Sequence, residues 1–272
     1  SSLVNIYLNW IDKKKVLTTD LWSSELSKLI ANAFLAQRIS SINTISALCE
    51  ATGAHIKDVA LAVGMDKRIG KYFLNTGPGF GGSCFKKDIS NLVYISNHYG
   101  LSEVAEYWQK VLDINSWQQR RFVELIVKKM FGTITSKKIA ILGFSFKSDT
   151  NDTRESPAIF ICKKLIEEGA ILKIYDPKVS FKQISNDLDN KVDNMVDTNN
   201  KRWSFSNDIE NIFDGVDAIV IITEWVEFQN LNWSEISLKM RKPSWVFDTR
   251  SIINKEEVKA QGIKIWQVGC ET

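Results

Sequence analysis

The segment Gly77-Pro78-Gly79-Phe80-Gly81-Gly82-Ser83-Cys84-Phe85-Lys86-Lys87-Asp88 gathers reactive side chains next to a bend almost free of Cβ atoms. Four glycines in six residues let a backbone approach a ligand closely or take positive φ. The apolar positions Ile89, Leu92, Val93 and Ile95 then predict a helix beginning near Ser83. Cys84 falls in its first turn, where the helix dipole together with Lys86 and Lys87 favours thiolate over thiol. Asp88 follows one turn later on the same face. A thiolate and a carboxylate side by side suit nucleophilic chemistry or ligand binding. Burial as a small hydrophobe is the ordinary fate of a cysteine, and it is the reading for Cys49, Cys162 and Cys270.

Two more clusters carry polar chemistry. Glu25, Lys28 and Asn32 are spaced i, i+3 and i+7 and share one stripe of a predicted helix. They are either solvated decoration or, if that stripe faces the glycine-rich segment, an ammonium and an amide aimed at a substrate oxygen. The stretch from Gly143 to Arg154 follows a strand-like run, as the first turn of a dinucleotide fold would, with Asp176 in the place of a ribose-holding acid. It has one glycine where a pyrophosphate cradle wants three, and Phe144 and Phe146 would block close approach. Lys147 and Arg154 offer cations instead, which suits a nucleotide diphosphate held by side chains. A solvated charged loop fits the same residues. His55 and His98 show no ligand spacing, the cysteines form no CxxC pair, and no metal site is expected.

The elements that must position these residues divide the 272-residue chain in two. Hydrophobic content of 44% and charged content of 25% indicate an ordinary globular chain of one large or two ordinary domains. A net charge of +3 gives no reason to expect nucleic acid. No apolar run approaches the ~20 residues a membrane helix needs, no secretory leader opens the chain, and sparse cysteine favours the cytoplasm. Leu21 to Thr52 has no Gly or Pro and reads as one helix about 48 Å long, capped by Asp20 and stopped at Gly53. Shorter helices are expected at 55–63, 84–98 and 102–130. Strands are expected at 138–143, 171–177, 218–223, 245–248 and 263–268 with helices between them, the signature of a mostly parallel α/β sheet. Leu3 to Trp10 reads as the last turns of a helix, Val16 to Thr19 as a short strand, and 180–202 as a solvated insertion.

Four segments together resemble the nucleotide-sugar 6-dehydrogenase family. They run from Trp22 to Asn43, from Gly79 to Asp88, from Ile141 to Lys147 and from Asp152 to Ser156, in the family's order. The stretch from Phe34 to Asn43 places the chain in the UDP-glucose branch rather than the GDP-mannose branch. The resemblance implies an α/β fold class: a helical central and dimerisation domain (21–131) built on the long helix, then a Rossmann-like, UDP-sugar-binding domain (132–272). It implies two NAD-dependent oxidations of UDP-glucose to UDP-glucuronate, with Cys84 as the nucleophile through a thiohemiacetal and a thioester. Lys28 would stabilise oxyanion character, and Asn32 and Asp88 would position water and hydroxyls. Gly79, Phe80, Gly81, Phe146, Lys147 and Arg250 join Lys28 and Asn32 as UDP-sugar contacts, with Arg68 reached from a neighbouring subunit of a dimer. Asn75 stands where family members often carry a lysine. Cys84, Phe85, Lys86, Lys87 and Arg154 match contacts to NAD. The family's first NAD-binding domain is not found before Ser1, so 1–20 are expected to be its end, and the chain is expected to bind UDP-sugars but turn over poorly. A non-catalytic UDP-sugar-binding or oligomerisation module, and a dehydrogenase for GDP-mannose or a UDP-N-acetylhexosamine, are the alternatives.

Overall fold

The long helix is set by its ends as much as by its sequence. In the computed structural model, which describes residues 2–189 and 202–270, α2 runs from Leu21 to Thr52. The Asp20 side chain accepts a hydrogen bond from the Ser23 N–H at 2.9 Å, and Gly53 takes φ +79° just past the end. Both are the terminal groups that an α-helix leaves to be satisfied by caps. The buried stripe of α2 is made mostly of small or polar residues, Ala33, Ala36, Ser40, Asn43, Ser46 and Cys49, with Ile42 its one buried large apolar side chain. Trp22, Phe34 and Leu48 lie exposed. Small side chains let α4 (Phe85–His98) and α5 (Ser102–Lys129) come close, and the Ser40 hydroxyl donates to the Val111 carbonyl across that contact at 2.9 Å. Helix α3 (Ile56–Met65) follows α2.

Ahead of α2 the expectations are only partly met. Helix α1 spans Ser2–Tyr7, short of Trp10. Residues 16–19 form no strand, because no described strand lies alongside to supply hydrogen-bond partners, and Leu17 is exposed.

The second half is a six-stranded parallel sheet ordered β3-β2-β1-β4-β5-β6. Its strands are β1 (Lys138–Leu142), β2 (Ile171–Tyr175), β3 (Trp203–Phe205), β4 (Ala218–Ile221), β5 (Trp245–Asp248) and β6 (Lys264–Gln267). Every described pair is parallel, with Ile139 opposite Leu172 on one side and Ala218 on the other. Helices α6 (Pro157–Glu167), α7 (Phe181–Leu188), α8 (Trp233–Lys239) and α9 (Lys255–Ala260) connect the strands. Two apolar cores cover the two faces, which is why β1 and β4 read as continuous hydrophobic runs. Helix α7 corrects the reading of 180–202 as an insertion, and β3, just after that stretch, is a strand the sequence did not suggest. A Ser180/Gln183 capping box starts α7, and Ile184 is buried. Residues 190–201 of that stretch lie outside the described residues.

The two halves share one helix. Phe122, Val123 and Ile126 of α5 belong to a sheet-face core, with Phe122 edge-on to Trp266 of β6 at 5.3 Å. The strand order reverses between β1 and β4, and the crevice at the carboxyl ends of such strands is where open α/β sheets bind ligands. No helix among the described residues is long and apolar enough to cross a membrane.

Candidate active site

Helix α4 begins where the glycine-rich segment ends, and Cys84 is its N-cap residue, exposed to solvent. The Asp88 N–H donates to the Cys84 carbonyl at 2.8 Å, closing the first turn and placing Asp88 over Cys84. Asp88 is only 2% exposed. Its Oδ2 receives the Lys28 ammonium at 2.6 Å and the Asn32 amide at 2.5 Å, both from α2. The stripe Lys28–Asn32 therefore faces the cysteine-bearing helix, and the two side chains converge on one carboxylate oxygen. Burial pushes the Asp88 carboxyl up, but the Lys28 and Asn32 hydrogen bonds, with the charges of Lys28 and Lys87, outweigh it and hold the group below its ordinary value. The hydrogen bond to Asp88 raises Lys28, so the ammonium stays charged beside the thiol. Cys49 and Cys162 are buried packing residues, and burial pushes both thiols up, whereas Cys270, also expected to be buried, is only half-buried.

The glycines serve protein contacts. A Cβ on Gly77 would sit 2.9 Å from the Arg250 guanidinium, one on Gly79 2.5 Å from Asn115, and one on Gly81 2.5 Å from the Glu155 carbonyl. The bend is thus pinched between α5 and the loops at the sheet's carboxyl edge. Phe146 lies against Gly81 and Gly82, and the Lys147 ammonium rests 5.5 Å from the Phe146 ring centre.

At that edge, Arg250 and Asn75 line a cleft of about 480 Å³ together with Lys57, Lys71 and Glu224. Arg250 Nε donates to the Ile222 carbonyl at 2.7 Å and lies 3.1 Å from Glu224. Burial lowers the Arg250 pKa, and the carboxylates of Glu224 and Asp248 oppose that shift. Arg68 and Arg154 stand apart in matching Asp-x-Arg turns, paired at 2.6 Å with Asp66 and Asp152. Those pairings hold both carboxyls below their usual range. Arg68 is 89% exposed at its side chain and joins none of the other candidates within this chain. Lys86 is tied to Glu155 at 2.8 Å, and Lys87 is exposed. Phe85 meets Phe80 edge-on at 5.7 Å.

The turn after β1 is filled by the protein itself. Buried Asp176 accepts from the Phe144 and Ser145 N–H groups at 2.7 and 3.0 Å, and from Lys178 and Val179 through its other oxygen. The amides that would cradle a pyrophosphate are occupied, so the single-glycine loop is no dinucleotide cradle. Asn43, Asn115, Gln118 and the Glu50–Arg121 pair were not singled out from sequence. The only available signal was polar residues on the buried faces of otherwise apolar helices.

A parallel sheet with cations at its reversal point, beside a helical half presenting a cysteine and a carboxylate, defines a two-part α/β protein with a cleft at the sheet's carboxyl edge. The chain belongs to the UDP-glucose/GDP-mannose dehydrogenase family, whose central-domain model matches residues 22–117 and whose UDP-binding-domain model matches 140–255. It is 52% identical over 270 residues to a Mus musculus protein named UDP-glucose 6-dehydrogenase, covering 98% of this chain and 55% of that one. It is 50% identical to UDP-glucose 6-dehydrogenase 3 of Arabidopsis thaliana, covering 98% and 58%. A solved UDP-glucose dehydrogenase from Pyrobaculum islandicum superposes with a TM-score of 0.81 at 25% identity, over all of this chain and 56% of that one. The chain thus spans little more than half the length of the relatives it matches.

Proposed function

We propose that this chain carries the nucleophile and sugar site of an NAD-dependent UDP-glucose 6-dehydrogenase, oxidising the C6 alcohol to the carboxylate of UDP-glucuronate. The observation that carries the reading is the convergence of Lys28 and Asn32 on buried Asp88, one turn from exposed Cys84. The Cys84 thiolate adds to the C6 aldehyde: a sulfur–carbon bond forms, the carbonyl pair moves to oxygen, and a thiohemiacetal results. Lys28, held as an ammonium by Asp88, stabilises that developing oxyanion rather than acting as a base. In the later thioester, a water oriented by the Asp88 carboxylate and the Asn32 amide attacks the acyl carbon. The carbon–sulfur bond breaks, the thiolate returns, and the water's protons pass to solvent as the carboxylate forms.

The UDP group lies at the sheet's carboxyl edge, held by Arg250, Lys147, Phe146 and Asn75, with Gly79, Phe80 and Gly81 passing the sugar toward Cys84. NAD, when bound, supplies the two-electron acceptor for each oxidation. The donor set fits its phosphates on the Cys84 side, where Arg154, Lys86 and Lys87 are exposed cations, with Cys84 and Phe85 beside them. The turn after β1 does not fit them, since Asp176 fills it. Residues 1–20 fit the end of a preceding cofactor domain, and the free thiols fit a cytoplasmic setting. Exposed Phe34 and Leu48 on α2 fit a dimer seam, across which the exposed Arg68, paired here only with Asp66, would reach a partner's sugar site.

Cys84→Ser tests the reading. In the full-length protein uronate formation should vanish while calorimetry still detects UDP-glucose, and retained acid formation would sink the mechanism. Tighter binding of GDP-mannose or UDP-N-acetylglucosamine than of UDP-glucose would keep the mechanism and change the sugar.

A further inference from the structure

We propose that Asn115 is a positioning residue for Cys84, a role that rests on reading Cys84 as the nucleophile. Asn115 lies midway along α5, 9% exposed, and its side-chain amide holds Phe80 from both sides. Its Oδ1 accepts from the Phe80 N–H at 2.8 Å, and its Nδ2 donates to the Phe80 carbonyl at 3.1 Å. One side chain thereby supplies the pair of bonds that a neighbouring strand would give. Asn43 and Gln118, both fully buried, hold Gly77 in the same way: the Gly77 N–H donates to Asn43 Oδ1 at 3.0 Å, and Gln118 Nε2 donates to the Gly77 carbonyl at 3.1 Å. Gly79, between the two clamped residues, takes φ +115°, and only the missing Cβ lets Asn115 reach Phe80.

These bonds set the position of the bend because packing on one side does not. Phe80, Gly81, Gly82 and Asn115 line a cleft of about 400 Å³ between α5 and α6, so the bend has open space into which it can settle. On that open side directional hydrogen bonds hold the bend, complementing the close contacts of Gly77 with Arg250 and Gly81 with Glu155. The Phe80 ring transmits the placement: it meets Phe85 edge-on at 5.7 Å and 88°, and Phe85 follows Cys84 directly. A displacement of about 1 Å at a reacting group can cost ~100-fold in rate, so a clamp at this distance from the thiol matters chemically.

Asn115→Asp keeps the size and the acceptor to Phe80 N–H but removes the donor to the Phe80 carbonyl. The experiment is alkylation of Cys84 by iodoacetamide, followed by peptide mapping across a pH series, with and without UDP-glucose, alongside thermal unfolding. Ile126→Val, in the sheet-face core, is the stability control. Asn115→Asp is expected to change the Cys84 rate severalfold and to abolish protection by UDP-glucose, while Ile126→Val changes neither. A Cys84 rate and protection like those of the unaltered chain would overturn the proposal, as would the same change in Ile126→Val. If Asn115→Asp does not fold, hydrogen exchange on the unaltered chain decides. Protection of the Phe80 amide at the level of the α5 amides supports the clamp, and exchange at the rate of an open loop overturns it. None of these readouts depends on turnover, so failure of the Cys84→Ser test would sink the catalytic reading and leave this result standing.

Discussion

At the residue scale, the Lys28–Asp88 pair makes a prediction with a definite sign. The folded Asp88 pKa is depressed, so its contribution to stability is complete above the unfolded value and is lost as pH falls through the folded one. Lys28 is raised, so its part is complete below the unfolded lysine value and is lost only as pH rises through the folded one. The melting-temperature gap between the unaltered chain and Asp88→Asn should therefore hold steady above about pH 5 and narrow progressively below about pH 3.9. A gap just as wide at about pH 3 as at about pH 5 would show that the carboxylate is not what stabilises the site. At the sheet edge, Lys147→Ala and Arg250→Ala should each weaken UDP-glucose binding by about 1–3 kcal/mol, since each removes a charge-assisted hydrogen-bond donor. Calorimetry reads this directly, and unchanged affinity in both would displace the phosphate site. Cys84 and Asp88 were legible as a pair because four residues along a helix fix a shared face. Asn115 was not, because a polar residue on a helix gives no sign of whether it meets water or another segment's backbone.

At the element scale, caps and periodicity placed most boundaries within a few residues. Asp20 and Gly53 bound α2 where the sequence suggested, and β5 spans the expected 245–248. The failures share a cause. Helix α7 sits in a stretch dominated by Asn, Asp and Lys, where period and composition are weak, and β3, directly after it, is only three residues long. The strand expected at 16–19 has the residue types but no partner. Several of the large apolar residues used to read α2 as a helix are solvent-facing, while its core stripe is mostly Ala, Ser and Asn with Ile42 and Cys49. Close contact between elements explains Gly143 as well: its φ is +91°, and a Cβ there would lie 2.4 Å from the Thr223 side chain. That threonine's hydroxyl donates to the Ser145 carbonyl at 2.7 Å, joining the β1 and β4 loops. Gly143→Ala should cost at least ~2 kcal/mol in urea unfolding, from strain and the displaced threonine together. A cost under about 0.5 kcal/mol would mean that these loops are not tightly joined.

At the scale of the whole molecule, the helical half and the sheet half are tied by a buried ion pair. Glu50 on α2 takes the Arg121 guanidinium of α5 through one oxygen and the Gly269 N–H, just past β6, through the other at 2.9 Å. The Ile56 N–H donates to the Gly269 carbonyl at 2.9 Å, and a Cβ on Gly269 would overlap the Ile56 side chain. Arg121→Met should cost about 3–5 kcal/mol, because it strands a nearly buried carboxylate. Unfolding that is no easier than in the unaltered chain would refute the tie. The sequence by itself determined the helices with clear caps, the alternation that makes a parallel sheet, the placing of Cys84 with its carboxylate on one helix face, and the absence of a dinucleotide turn after β1. Each of these follows from neighbours within one or two turns of chain, where spacing and φ preferences act directly. The tertiary structure alone decided that Lys28 and Asn32 meet Asp88 across some 60 residues, that Asp176 closes its own loop, and that three buried amides hold the glycine bend. Those outcomes depend on which faces of distant elements come into contact, and such contacts leave no period in the chain.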